Sequence, residues 1–238
     1  LFGFASMNIG RQALSYGSGV FMGINDWAAN RNTADGMTFA INNDMIDLDF
    51  GINNNDKGEG IDALQHYWLN TSKSSEYWKL NLFFSHYSSN TNEGIALYDG
   101  TQGGLDFKYS VMNGSLDLNA SYNAVRFNDI QGDLFGVTFP NETEYEFEMM
   151  DLSATYKINT NLNLTAGIIS VGEDGFYTNG NGNIGNYETN SWLSHGNIGH
   201  LGANQENLYL KGSYDMGKVK ITATNHSVSN NKDQNYER

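Results

Sequence analysis

Charged, amide and aromatic side chains are concentrated in the stretch between Gly10 and Gly36. Arginine and aspartate fix charges that can bind or repel a solute, and glutamine adds hydrogen bonds. Such a stretch suits a catalytic loop, a ligand-binding loop or the constriction of a membrane pore. The side chains on which these alternatives depend are Arg11, Gln12, Trp27, Arg31 and Asp35.

Catalytic signatures are weak along the chain. The sequence contains no GxSxG element, no P-loop and no recognisable order of Ser, His and Asp. His195 and His200 are the only close pair of histidines, and no carboxylate near them completes a metal site. We therefore expect no enzyme activity, no catalytic residue and no resident metal. The oxygen-rich stretches 53–60 and 172–183 could hold calcium in outer loops, although neither has a full calcium-loop pattern.

Composition excludes several classes of protein. The chain has 238 residues and no cysteine, so a disulfide scaffold is excluded. Its net charge of -14, with only 13 Lys and Arg, disfavours nucleic acid as a partner. No apolar run is long enough for a transmembrane helix. Aromatic residues nevertheless reach 13%, which indicates an ordered protein.

Apolar and polar residues alternate with a period of two, which is typical of β-strands. About eleven such segments follow one another, and several span about ten residues, the length that crosses a bilayer as a tilted strand. One segment alternates Trp78, Leu80, Leu82 and Phe84 with Lys79, Asn81 and Ser85. The same pattern recurs in Leu116, Leu118 and Tyr122, in Leu152 and Tyr156, and in Val219 and Ile221.

The connections between these segments alternate in length. Tight turns are expected at 42–44, 112–114, 159–161 and 216–217, and long polar connections at about 53–64, 90–102, 128–144 and 174–206. This rhythm predicts an all-β fold, a transmembrane up-and-down antiparallel β-barrel with its apolar face toward lipid. A soluble β-sandwich that binds carbohydrate, with the same face buried, is the alternative fold.

Aromatic residues near strand ends favour the membrane barrel, since Tyr and Trp line the headgroup levels. The set includes Tyr67, Trp68, Tyr77, Trp78, Tyr87, Phe127, Tyr145, Tyr156, Tyr209 and Tyr214. Bacterial single-chain barrels normally close with an even number of strands. We therefore expect residues 1–238 to be part of one larger barrel domain, with both ends of the protein absent.

A family resemblance is carried by the spacing GRQ-x-L-x-YG followed by G-x-x-x-W-x-x-x-R-x-x-x-DG, over residues 8–37. It resembles the alginate-export family of outer-membrane porins. The resemblance implies a barrel of about 18 strands in the outer membrane of a Gram-negative bacterium, with loops folded inward and polar, often anionic, solutes passing through.

The charges on the polar face bear on the solute. Lumen-facing positions mix acidic and basic residues, which favours neutral or zwitterionic solutes, or cations, over a polyuronate. We expect a porin for the passage or export of polar solutes such as saccharides; the alternative is a structural barrel whose long outer loops bind a protein partner. The lumen-facing set includes Lys79, Asp106, Lys108, Asp117 and Lys157.

The stretch from Ser18 to Asp35 is expected to narrow the pore, with Arg31 as its main fixed cation and Asp35 as the counter-charge. Gln12 shares the polar parity of its strand. Arg11 falls on the apolar parity, where an arginine in mid-membrane lipid costs about 2–4 kcal/mol. A bulge that redirects Arg11, or a position at the membrane interface, would avoid this cost.

Overall fold

The computed structural model describes residues 5–22, 34–55, 64–89, 98–134, 137–173, 201 and 204–230. Eleven strands form one sheet, and each strand pairs antiparallel with its neighbours in sequence. The expected all-β fold and strand number are confirmed. Within the described residues, β1 and β11 form the two edges of the sheet. The strands are β1 Ala5–Gln12, β2 Ala34–Asn42, β3 Asp47–Asn55, β4 Leu64–Ser74, β5 Trp78–Ser89, β6 Tyr98–Val111, β7 Leu116–Leu134, β8 Val137–Lys157, β9 Leu162–Val171, β10 Gln205–Asp215 and β11 Lys220–Asn230.

Short turns join the strands at one end of the sheet, at 43–46, 75–77, 112–115, 158–161 and 216–219. In two of them an asparagine side chain closes the turn. Asn43 Oδ1 accepts the backbone N–H of Met45 at 2.8 Å, and Asn159 Oδ1 accepts that of Asn161 at 2.8 Å. The expected alternation of tight turns with long connections is therefore confirmed at three of the four expected long connections, which are observed at 56–63, 90–97 and 172–204; a further long connection, 13–33, joins β1 to β2.

The remaining expected long connection, 128–144, is wrong. β7 continues to Leu134 and β8 begins at Val137, so strand pairing replaces the loop. The pairing shifts register between Phe127 and Ile130 and again before Gly132. At 19 and 21 residues these strands exceed the roughly 10 that span a bilayer. A strand pair beyond the membrane meets water on both faces, so its sequence lacks the apolar alternation that reveals a strand.

One face of the sheet, the outer face, is apolar across its whole width. Register pairing aligns Met7 with Phe39, Phe39 with Phe50 and Phe50 with Leu69, and the row continues strand by strand. Large apolar side chains on this face are exposed, among them Ile9, Leu69, Leu82, Phe84, Phe107, Leu118, Leu152, Leu208, Leu210 and Ile221. This pattern is that of a lipid-facing surface.

The opposite face, the inner face, holds the buried polar residues. Thr38, Asn53, Asn70, Asn81, Gln102, Asn123, Asn207 and Ser213 are all at most 8% exposed. No second sheet covers the outer face among the described residues. The β-sandwich alternative, which needs the apolar face buried between two sheets, is therefore wrong for this part of the chain.

Three of the expected headgroup-level aromatics lie on the inner face instead. Trp68 and Tyr209 pack across the strand on Gly51 and Gly167, leaving no room there for a side chain. Phe127 lies on the same face, fully buried. Aromatic rings fill the space that strand glycines leave open, which explains their placement. No helix in the described part of the chain is long and apolar enough to cross a membrane.

Candidate pore constriction

Residues 13–22, which we call the inward segment, leave β1 at the long-connection end and lie against the inner face. The segment folds back on itself. The N–H of Tyr16 donates to Met22 O at 3.0 Å, and that of Gly19 donates to Tyr16 O at 2.8 Å. Gly17 and Gly19 adopt φ of 57° and 77°, the left-handed region that glycine enters without a steric cost. The glycines in this stretch thus build a compact inward loop.

Apolar packing holds the inward segment on strands β4 and β5. The Phe83 ring stacks with Tyr16 and with Phe21, at centroid distances of 5.9 and 5.7 Å. Trp68 Nε1–H donates to Tyr16 Oη at 3.3 Å. Burial raises the pKa of Tyr16 to about 12, so its phenol stays neutral at physiological pH. Phe21 is 3% exposed, and burying such a side chain stabilises by about 1.5–3 kcal/mol.

A polar contact fixes how deep the segment reaches. The backbone N–H of Ser18 donates to Asp106 Oδ2 at 2.8 Å. Asp106 lies near the middle of β6, five residues before the strand ends at Val111. Gly17 approaches Asp106 and Asn81 so closely that a Cβ has no space there. The segment therefore reaches from the long-connection end to about half the height of the sheet.

A polar pocket of about 240 Å³ lies beside the tip of this segment. Two neighbouring cross-strand rows line it. The first row aligns Asn81, Asp106, Ser121 and Asp151, and the second aligns Lys79, Lys108, Asn119 and Ser153. Carboxylates and ammonium groups thus line the same pocket, one row apart.

Closer to the short turns, Asp117 joins two lysines. Its Oδ2 lies 2.8 Å from Lys108 Nζ and 3.0 Å from Lys157 Nζ, and its Oδ1 accepts the Ser110 hydroxyl at 2.6 Å. The Asp117 side chain is only 7% exposed, whereas both lysines are about half exposed. One buried carboxylate therefore holds two cations on the inner face.

Replacing Asp117 with asparagine should destabilise the barrel and shift its ion selectivity toward anions. The change removes the counter-charge of two lysines, and we expect a loss of about 1–3 kcal/mol because the lysines remain partly hydrated. Urea unfolding in detergent and reversal potentials in a salt gradient measure the two effects. Asp47→Asn is the matched control, since among the described residues Asp47 has no ion pair. Equal behaviour of the two variants would contradict the role given to Asp117.

The structure places the expected lumen-facing residues together on the inner face. Lys79 lies directly across from Lys108, and Asp106 directly across from Asn81. Lys108, Asp117 and Lys157 form the ion-paired group. The period-two alternation was sufficient to assign this face.

Arg11 and Asp35 lie elsewhere, and their assignment to the constriction is corrected. The β1–β2 register runs without a shift, so both remain on the outer face, beside Ile9 and Met37. They form a bidentate ion pair at 2.9 and 3.0 Å near the long-connection end. No bulge redirects Arg11, and its place one residue before the end of β1 fits a position at the membrane interface. Gln12 lies on the inner parity and bonds backbone carbonyls.

Two further constriction candidates, Trp27 and Arg31, lie outside the described residues, as does the rest of 23–33. Residues 18–22 of the expected constriction do lie on the inner face. Sequence reasoning missed the anchor itself, which is the run Val20, Phe21 and Met22 together with Asp106. This run could have been recognised from the sequence. It consists of three consecutive apolar residues in a glycine-rich connection, where no alternating strand pattern explains them.

Near the long-connection end, part of the inner face is apolar. Val125, Phe147, Ile169 and Val171 are buried there, and Leu201, from the connection before β10, is 5% exposed in the same cluster. The expected packing of Trp192, Leu193 and Ile198 falls outside the described residues. No group of three or more His, Cys, Asp or Glu side chains suited to a metal occurs within the described ranges. Most of the two candidate calcium stretches is not described.

Comparison with known proteins finds structural similarity only. No protein-family model and no curated protein matches the sequence, so the alginate-export resemblance is not confirmed. OccK11 (OpdR) of Pseudomonas aeruginosa is similar, with a TM-score of 0.64 at 12% identity over 94% of this chain and 61% of that one. The outer membrane channel DcaP of Acinetobacter baumannii is also similar, with a TM-score of 0.55 at 12% identity over 93% of this chain and 65% of that one.

A loop-deletion form of OmpT, an outer membrane protein of Vibrio cholerae, gives a TM-score of 0.58 at 12% identity over 95% of this chain and 72% of that one. The chain therefore has the fold of outer-membrane β-barrels, and the outer-membrane location expected from the sequence is supported. It spans 61% of the length of OccK11 and 65% of that of DcaP.

Proposed function

We propose that residues 1–238 form part of a single outer-membrane β-barrel domain that lets small polar solutes, saccharides among them, cross passively. Further strands would complete the barrel between the edges of β1 and β11. Lipid surrounds the outer face in this proposal, and solutes pass along the inner face. The similarity to channel proteins such as DcaP supports this reading through the fold alone.

The observation that carries the proposal is the inward segment. A barrel that served only as a scaffold would gain nothing from a loop held at half height against its inner wall. A channel needs such a loop, because a wide barrel must be narrowed to discriminate among solutes. The Ser18–Asp106 hydrogen bond and the Phe21–Phe83 stack hold it in place.

Weak charge selectivity follows from the residues on the inner face. Among the described residues, the acidic positions on this face are Asp47, Asp49, Asp106, Asp117, Asp151 and Asp215, and the basic ones are Lys79, Lys108, Lys157, Lys211 and Lys220. Because the two signs nearly balance, a salt gradient should give a reversal potential close to zero. The solute's size and hydrogen bonding then decide its passage.

Reconstitution of the full-length gene product into planar bilayers tests the proposal. We expect stepwise ion conductance, and swelling of proteoliposomes in isotonic disaccharide. A folded barrel, shown by heat-modifiable migration in detergent gels, that neither conducts nor admits sugar would refute the channel. That result would favour the alternative of a structural barrel, whose long outer connections bind a protein partner.

A further inference from the structure

The polar pocket beside the inward segment combines charges of both signs. Asp106 and Asp151 lie in one cross-strand row, and Lys79 and Lys108 lie in the next row toward the short turns. Adjacent rows on one face are two residues apart, or about 7 Å along the strand. A lysine side chain spans most of this distance, so ammonium groups and carboxylates can contact one small molecule together.

Two buried polar atoms of this pocket have no partner among the described residues. They are Nδ2 of Asn81, a residue only 4% exposed, and Oδ1 of Asp106. A buried donor or acceptor left unpaired costs about 1–3 kcal/mol. Both residues line the pocket.

One cation of the pocket is available for a ligand. Lys108 is engaged by Asp117 at 2.8 Å. Lys79 is exposed and, within the described ranges, forms neither an ion pair nor a hydrogen bond. It lies directly across from Lys108, and like charges in this position repel each other. An incoming carboxylate would relieve that repulsion.

We propose that the polar pocket binds small zwitterions of the α-amino acid or dipeptide class; this rests on the proposed channel function. The ligand's carboxylate contacts Lys79, and its ammonium group lies between Asp106 and Asp151. A simple anion would meet the two aspartates, and a simple cation the two lysines, so each binds less well. At about 30 Å³ per water, 240 Å³ holds about eight waters, which suits a molecule of that many non-hydrogen atoms.

Three matched probes test the proposal on the full-length protein in detergent. Glycylglycine carries both charges, N-acetylglycine lacks the ammonium group, and glycylglycinamide has an uncharged amide in place of the carboxylate. By isothermal titration we expect glycylglycine to bind at least about tenfold more tightly than either other probe. Equal affinity for the three, or no binding of glycylglycine, would overturn the proposal.

Two variants test separately the residue that binds the carboxylate and a residue that binds the ammonium group. Lys79→Met should weaken glycylglycine binding about tenfold. Asp151→Asn should also weaken it about tenfold, and should strengthen the binding of N-acetylglycine, whose carboxylate then no longer meets the charge of Asp151. Lys211→Met is the control, because Lys211 lies on the same face but outside the pocket. Heat-modifiable migration verifies folding of each variant. Unchanged binding in a folded Lys79→Met variant would contradict the site.

The same preparation distinguishes this failure from failure of the channel. Zwitterion binding without conductance in bilayers would refute the proposed function and leave the binding site standing. Conductance without any preference for glycylglycine would refute the zwitterion site alone.

Discussion

A barrel carrying Gly17→Ala should conduct more current than the wild type, by about twofold or more. A Cβ on Gly17 would overlap Asp106 Oδ2 and lie 2.7 Å from Asn81 Nδ2. Its φ of 57° adds about 1–2 kcal/mol for any residue other than glycine. Both effects weaken the Ser18–Asp106 hydrogen bond. The tip of the inward segment should therefore dissociate from the inner face. Single-channel recording measures the change.

Gly114→Ala is the matched control for Gly17→Ala. Gly114 also has a left-handed backbone, with φ of 81°, but no atom lies within 4 Å of the Cβ position. It belongs to a short turn far from the inward segment. We expect some loss of stability in this variant and no change in conductance. If both variants conduct like the wild type, the inward segment does not limit the pore.

Leu152→Arg should cost about 2–4 kcal/mol, the largest effect on stability that we expect. Leu152 lies on the outer face between Ala120 and Ile168, and it is 39% exposed. An arginine there would enter the lipid chains near their midplane. Urea unfolding from lipid vesicles measures the loss.

Ser153→Arg tests the opposite face at the adjacent position. Ser153 faces the polar pocket, where an arginine meets water and carboxylates, so we expect a change below about 1 kcal/mol. Similar losses in both variants would contradict the assignment of the two faces. Heat-modifiable migration shows whether each variant reaches the folded state.

Sequence alone was sufficient for the number of strands and for the faces of those that alternate. Period-two alternation is a local property, so Leu82 and Lys79 could be assigned to opposite faces without any tertiary information. The limits of β7 and β8 could not be predicted in this way, because a strand pair outside the membrane has no apolar face to mark it.

The site was predicted less well, because its geometry depends on long-range contacts. Arg11 and Arg31 attract attention as charges, yet Arg11 pairs with Asp35 on the outer face. Asp106 holds the inward segment through a contact that joins residues 88 positions apart. The alternation of apolar and polar residues carries no information about such a long-range contact. The sequence therefore predicts Asp106 only as one lumen-facing charge among several.

The order of strands in the sheet bears on how wide such a barrel can become. Every strand bonds only to the strands before and after it in the chain. Gain or loss of one hairpin therefore creates a single new pairing between neighbouring strands, and all other strand pairs keep their registers. A soluble core would have to be repacked after such a change, whereas lipid and water adapt to any circumference. Pore diameter in this architecture can thus evolve in steps of two strands by duplication or deletion within the gene.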